Sequence, residues 1–168
     1  MKNLTKFAFL LILSFSIILF AEEEKDTSKT DIYGGLKWRS IGPAFTSGRI
    51  ADIAVNPLNK SEYYVAVASG NIWKTTNRGT TFDPVFENYG SYSTGCLAID
   101  PENPNVVWVG TGENNHQRAL GYGDGVYKTI DGGKSWENVG LKESRQIGKS
   151  VIDPRNTEIV FVAAEGSV

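Results

Sequence analysis

Glu113, Asn114, His116, Arg118, Tyr122 and Asp124 fall within one hydrophilic stretch, and together they supply acids, an amide, an imidazole, a guanidinium and an aromatic ring. Such a set suits a binding surface for a sugar, a peptide or an anion. The alternative for the same residues is a solvated loop that packs on its neighbours. Hydrolysis of a glycoside asks for more: two carboxyl groups held about 5–9.5 Å apart, one as acid and one as base or nucleophile. The acids in plausible loop positions are Asp52, Glu113 and Asp124. Asp52 stands inside an apolar run beside Ile50 and Ile53, which suits a role at a strand edge. Asp124 lies between Gly123 and Gly125, where a turn explains it. Glu113 and Asp124 are separated by a stretch with no fixed geometry, so no catalytic residue is assigned. Arg39, Arg49, Arg78, Arg118 and Arg145 are scattered rather than grouped as an anion clamp. No spacing of His, Cys, Asp or Glu suggests a metal, and nothing calls for a cofactor.

The elements that must carry these residues are short strands. Ile50–Val55, Tyr63–Val67, Val106–Val109, Gly125–Thr129 and Ile159–Val162 are runs of four to six residues rich in β-branched and aromatic types. Gly, Asn, Asp and Pro separate them, and helical periodicity is absent. That is an all-β pattern.

Internal repeats refine it. Asn56-Pro57-Leu58-Asn59 recurs as Asp100-Pro101-Glu102-Asn103 and as Asp153-Pro154-Arg155-Asn156. A second motif, Thr75 to Phe82, recurs 54 positions later as Thr129 to Trp136. Thr75, Asn77, Gly79, Thr81 and Phe82 match Thr129, Asp131, Gly133, Ser135 and Trp136. Each unit then reads as four strands, at about 49–55, 63–68, 71–76 and 81–86 and again at about 95–99, 106–110, 125–129 and 135–139. A third begins near 148 and runs to Val168. A four-stranded repeat of this length is a blade of a β-propeller. The fold class is therefore all-β, with about two and a half blades of four antiparallel strands: blade one at about 49–86, blade two at about 95–139 and part of blade three at about 148–168. Propellers use roughly four to eight blades, so the reading implies an incomplete propeller, a fragment of something longer. A short protein that closes a ring with its own copies is the alternative.

In the second motif, Asp131 and Asn77 can accept hydrogen bonds from backbone N–H groups of their own turn. Gly133 and Gly79 allow backbone angles that a side chain forbids. Ser135 and Thr81 start the outgoing strand. Trp136 and Phe82 are expected to pack between blades. A calcium loop would need several oxygen ligands at alternating positions, and this motif offers one. The second unit is longer than the first between its second and third strands, and the added residues, Glu113 to Tyr122, are those of the candidate loop.

The Thr129–Trp136 pattern resembles the Asp-box, or bacterial neuraminidase repeat. Trp38 to Pro43, Gly48-Arg49-Ile50, Ser69 to Asn77, Gly110 to Glu113 and Gly123 to Thr129 are similar to segments of large secreted bacterial propellers. Those proteins in turn resemble the sortilin N-terminal propeller and the xyloglucanase-type glycosyl hydrolases. The resemblance covers roughly residues 37–168 and implies the propeller fold and, for some members, glycoside hydrolysis. Xyloglucanases carry an essential Asp just before the glycines that open the third strand of an early blade. The matching stretch here, Val67-Ala68-Ser69-Gly70-Asn71, has no acid. The resemblance thus implies a binding or scaffolding module, or the N-terminal part of a glycoside hydrolase whose acids lie elsewhere. The implied partner is a protein or a carbohydrate.

The rest of the chain bears on address. Lys2 and Lys6 precede an apolar run from Phe7 to Phe20 that ends at Ala21, and charged residues follow. A run of that length is short of the roughly 20 residues that span a bilayer, and it reads as a signal peptide, residues 1–21. A flexible leader, 22–37, follows. The expected address is secreted, periplasmic or cell-surface, with no stable membrane insertion after cleavage. A net charge of −2 offers nucleic acid no basic field. Cys96, the single cysteine, excludes a disulfide framework within the chain.

Overall fold

The computed structural model describes residues 48–115 and 120–166, and over them the chain is all β. The expected signal peptide and leader lie outside these residues, as do Trp38 to Pro43. Strands β1 (Ile50–Val55), β2 (Tyr63–Val67), β3 (Asn71–Thr75) and β4 (Asp83–Pro84) form one antiparallel sheet in chain order. Strands β5 (Thr94–Ile99), β6 (Val107–Thr111), β7 (Val126–Thr129) and β8 (Glu137–Gly140) form a second sheet of the same order. A 3-10 turn at Lys142–Ser144 leads into β9 (Ile147–Ile152), which pairs with β10 (Val160–Ala164). These are two blades and half of a third, as the sequence pattern requires. Strand β4 is shorter than that pattern suggests. Pro84 has no N–H to donate, which confines it to an outer edge.

The thrice-repeated Asn/Asp-Pro motif closes the first hairpin of every blade in the same way. Asn56 Oδ1 accepts the N–H groups of Leu58 and Asn59 at 2.9 and 3.2 Å. Asp100 Oδ1 accepts those of Glu102 and Asn103 at 2.8 and 3.1 Å. Asp153 Oδ1 accepts that of Arg155 at 2.9 Å.

Strand β5 packs against β1 on one side and β9 on the other, so the first strand of each blade is innermost. Asp52 ties all three together. It sits at a bulge in β1, and its Oδ2 accepts Leu97 N–H of β5 and the Lys149 ammonium of β9, each at 3.1 Å. Between blades one and two lies the main core. Ala54, Tyr64, Ala66, Ile72 and Phe86 meet Leu97, Val107, Val109, Tyr127 and Trp136. A smaller core joins blades two and three through Cys96, Val126 and Ile147. There the packing is so close that a Cβ at Gly110 would collide with the side chains of Ile147 and Cys96. Burial pushes the Cys96 thiol pKa up, which suits a packed group rather than a nucleophile.

The turns between third and fourth strands are local networks. Asp131 Oδ1 accepts the Thr129 hydroxyl at 2.7 Å and the N–H groups of Lys134 and Ser135 at 3.0 and 2.9 Å. Its Oδ2 accepts the Ser135 hydroxyl at 2.6 Å. The Ser135 hydroxyl and N–H, followed by the Thr129 hydroxyl, hold the Asp131 carboxyl far below the usual carboxylate range. Thr129 Oγ1 accepts Gly133 N–H at 3.0 Å, and Gly133 takes a φ of 88° that favours glycine. In blade one, Asn77 Oδ1 accepts the Thr75 hydroxyl and Thr81 N–H at 3.0 and 2.9 Å, and Thr75 Oγ1 accepts Gly79 N–H at 2.9 Å.

The two aromatic residues of these turns differ. Trp136 is 7% exposed and reaches across to blade one, where its indole N–H donates to Val85 O at 2.8 Å. Phe82 departs from the expected packing between blades. It is 39% exposed and meets only Tyr63 of its own sheet, edge to face at 6.0 Å. No blade stands on that side of β1 to β4 among the described residues.

Candidate functional site

Antiparallel pairing gives the blades two rims. The Asn/Asp-Pro turns and the Asp131-type turns share one. The connections from second to third strand, and the linkers from blade to blade, share the other. The candidate loop, 112–125, is on this second rim.

Its backbone is stitched to the linkers on both sides. Gly112 N–H donates to Ser93 O at 2.8 Å, Glu113 N–H to Gly121 O at 2.9 Å, and Gly123 N–H to Arg145 O at 2.6 Å. Glu113 is buried, and its carboxylate is ion-paired with Arg49, a half-exposed residue just before β1. The Asn114 amide donates to Gly148 O at 3.2 Å and Gly95 O at 3.4 Å, bridging β9 and β5. Asp124 accepts the Tyr127 hydroxyl on Oδ2 at 2.5 Å and the Thr111 hydroxyl on Oδ1 at 3.4 Å. Burial, and then the charged Asp124 beside it, raise the Tyr127 hydroxyl pKa against the opposing Asn138 contact.

Glu113, Asn114 and Asp124 are thus engaged in building the loop. His116 and Arg118 lie outside the described residues. Tyr122 is the member that remains open. Its ring is 60% exposed, the Arg145 guanidinium lies over it at 5.2 Å, and its carbonyl accepts the Ser91 hydroxyl at 3.0 Å.

Two neighbours of Tyr122 stand outside the candidate set drawn from the sequence, where Arg145 counts only as one of the scattered arginines. Tyr92, on the linker between blades one and two, is 61% exposed. It follows Ser91, whose hydroxyl reaches Tyr122 O. Arg145, on the next linker, has a φ of 57°, and Leu141 and Asn71 on the same rim have φ of 56° and 72°. Non-glycine residues in that region are strained, and Arg78 in the turn on the opposite rim shares it with a φ of 59°. The only sequence signal for Tyr92 is its linker, Tyr89-Gly90-Ser91-Tyr92. Tyr89 in the same linker is stacked on Phe86 at 4.8 Å inside the core. Spacing alone does not separate the two.

Of the loop acids, Glu113 faces Arg49, and Asp124 accepts the Tyr127 hydroxyl. Where the xyloglucanase resemblance would place an acid, the chain makes a tight turn instead. Gly70 N–H donates to Val67 O at 3.2 Å, and Gly70 O accepts the Trp73 indole at 2.8 Å.

On the opposite rim, a groove of about 520 Å³ runs between the two blades. Lys74, Asp83, Glu87, Tyr89 and Lys134 line it. Lys74 is already engaged: it pairs with Glu62 at 2.7 Å and donates to Gly132 O at 2.9 Å. This groove is a blade-to-blade seam.

No protein-family model matches the chain, and no curated protein matches it. Solved structures do. A GH74 enzyme from Niastella koreensis is 20% identical, with a TM-score of 0.50 over 62% of this chain. An ancestral GH74 enzyme is 23% identical, with a TM-score of 0.54 over 68% of this chain. A GH74 xyloglucanase from Xanthomonas campestris is 21% identical, with a TM-score of 0.48 over 69% of this chain. The chain spans 16%, 16% and 21% of the lengths of these three proteins. The likeness to the first two is one of fold.

Proposed function

We propose that this chain is a module of an exported propeller that binds a carbohydrate on the rim carrying Tyr92, Tyr122 and Arg145, and that its own residues do not hydrolyse the ligand. The observation that carries the reading is the pair of exposed tyrosines on one rim, where the hydroxyl of Ser91, next to Tyr92, bonds the Tyr122 carbonyl. A tyrosine offers an apolar ring for the face of a sugar and a hydroxyl for its edge. The Arg145 guanidinium adds several donors in a fixed plane. The non-catalytic half of the reading is supported by the engagement of Glu113 with Arg49 and of Asp124 with Tyr127. Export is supported by the run from Met1 to Ala21. The repeated Thr129–Trp136 pattern serves in this reading as the Asp-box, a fold element present once per blade.

A second reading is favoured by the fold likeness to GH74 enzymes. In it, the chain is one part of a glycoside hydrolase, and the reacting acids come from outside the described residues.

Titration calorimetry with oligosaccharides of xyloglucan and mixed-linkage glucan, and with sialyl-lactose, tests the proposal. One of them is expected to bind, and Tyr122→Ala and Tyr92→Ala are each expected to weaken binding about tenfold, or ~1.4 kcal/mol. Absence of binding to all of them, or binding unchanged in both variants, sinks it. Release of reducing sugar by the purified chain, lost in Glu113→Gln, would overturn the non-catalytic half of the proposal.

A further inference from the structure

Tyr92 and Arg145 are one position, met on two successive linkers. The turns at Asp100 and Asp153 are 53 residues apart (153 minus 100), and the same step carries Tyr92 to Arg145 (145 minus 92). The register holds up to the linkers, because β5 bulges at Gly95 and β9 bulges at Gly148, again 53 residues on. The two backbones also do the same work. Tyr92 O accepts Asn71 N–H at 2.9 Å where β3 opens, and Arg145 O accepts Gly123 N–H at 2.6 Å just ahead of β7.

The openness of this position belongs to the linker. Tyr92 stands between two four-stranded sheets and is still 61% exposed. Arg145 is exposed at the same place. What it presents there is a cation held in one orientation. Its guanidinium lies over the Tyr122 ring at 5.2 Å, and its carbonyl is bonded to the loop that carries that ring. A guanidinium stacked on a ring keeps its N–H donors in one outward plane, the geometry that takes both oxygens of a carboxylate. The acids of the loop are engaged elsewhere: Glu113 pairs with Arg49, and Asp124 accepts the Tyr127 and Thr111 hydroxyls. Among the described residues no carboxylate pairs with Arg145.

We propose that the glycan of this rim is acidic: Arg145 receives a sugar carboxylate, while Tyr92 and the uncovered part of Tyr122 stack on sugar rings. The proposal rests on the carbohydrate reading above and adds charge to it. A carboxylate on a sugar comes from a hexuronic acid within a chain or from a terminal sialic acid. Two exposed rings on neighbouring segments of the rim offer faces to two sugars in succession, which favours the hexuronic chain.

Titration calorimetry that pairs each acid with its own neutral counterpart is the test. The pairs are tetragalacturonate and its methyl ester, a glucuronate-bearing xylo-oligosaccharide and its methyl ester, and sialyl-lactose and lactose. At least one uronate is expected to bind about tenfold tighter than its ester, and its affinity is expected to fall as sodium chloride is raised. Arg145→Met is expected to bring that acid and its ester level. Arg145→Lys keeps the charge and loses the planar fork, so it is expected to restore only part of the difference. Tyr92→Ala is expected to weaken acid and ester alike, and circular dichroism establishes that each variant is folded. Acid and ester bound equally, or neither uronate bound while xyloglucan oligosaccharides bind, would overturn the acidic ligand and leave the carbohydrate reading standing. A preference for the acid that survives in folded Arg145→Met would overturn the role of Arg145. A preference confined to sialyl-lactose would overturn the hexuronic chain. No binding of any probe, acidic or neutral, would overturn both this proposal and the reading it rests on.

Discussion

Trp136 and Phe82 hold the same place in the repeat, and the structure assigns them very different energies. Trp136 is 7% exposed and meets Phe86 edge to face at 5.5 Å, while Phe86 itself packs on Tyr127 and Tyr89. Its indole N–H donates to Val85 O, and its backbone N–H donates to the Tyr89 hydroxyl at 2.9 Å. Truncating a buried tryptophan to alanine costs about 3–5 kcal/mol through lost transfer energy and the cavity left behind. Phe82 is 39% exposed and keeps one edge-to-face contact, worth about 0.5–1.5 kcal/mol. For a domain of this size, 1 kcal/mol moves the melting temperature by about 3–5 °C. Trp136→Ala should therefore lower it by roughly 10–20 °C and Phe82→Ala by about 5 °C or less. Trp136→Phe keeps a ring and gives up the bond to Val85 O, so it should fall between them, costing about 1–3 kcal/mol. Scanning calorimetry of the three variants checks the order. Equal losses for Trp136→Ala and Phe82→Ala would refute the argument that burial against the neighbouring blade, rather than the motif itself, sets the energy.

The remaining predictions concern charge. Hydrogen bonds depress the folded-state pKa of Asp131, so its contribution is present above the unfolded carboxyl value of about 3.9 and is lost as pH falls through the folded value. Asp131→Asn, which makes the position like Asn77, should flatten the loss of melting temperature below about pH 4; parallel acid limbs in the two proteins would contradict this. The effect should be small, because the group is open to solvent. Arg49→Met strips the partner from the buried Glu113 carboxylate and should cost about 2–3 kcal/mol, less than for a fully buried pair because Arg49 is half exposed. Adding Glu113→Gln should recover most of it in a double-mutant cycle by denaturant unfolding, and additive losses would count against the pair.

Strands and first hairpins were legible because their causes are local. Alternating apolar runs pair across a turn, and Asn56, Asp100 and Asp153 bond within three residues of themselves. The site was less legible because its causes are distant. Glu113 read as a free loop acid, since nothing near it names Arg49 as its partner. Asp52 was placed at a strand edge, whereas its bonds run to β5 and β9. Burial of Tyr89 and exposure of Tyr92 depend on where the linker crosses the blade, which composition does not encode. Phe82 illustrates the same point, for a motif specifies a turn and not the blade beyond it.

The substitution of Asn77 for Asp131 shows what the repeated turn demands. Both supply an oxygen that accepts a hydroxyl and a backbone N–H. On the second side-chain atom the proton runs in opposite directions. Ser135 Oγ donates to Asp131 Oδ2, whereas Asn77 Nδ2 donates to Thr81 Oγ1 at 2.9 Å. A hydroxyl serves as donor or acceptor by rotation alone, so the turn tolerates either residue. A general acid would not tolerate it, because an amide cannot release a catalytic proton. In both blades the polar groups of this position bond within the turn. The opposite rim differs: Tyr92 and Tyr122 are exposed there, and Glu113 and Asp124 are engaged by Arg49 and Tyr127. On the reading proposed above, a ligand meets the rim whose polar groups hold the linkers and whose two tyrosine rings stand exposed.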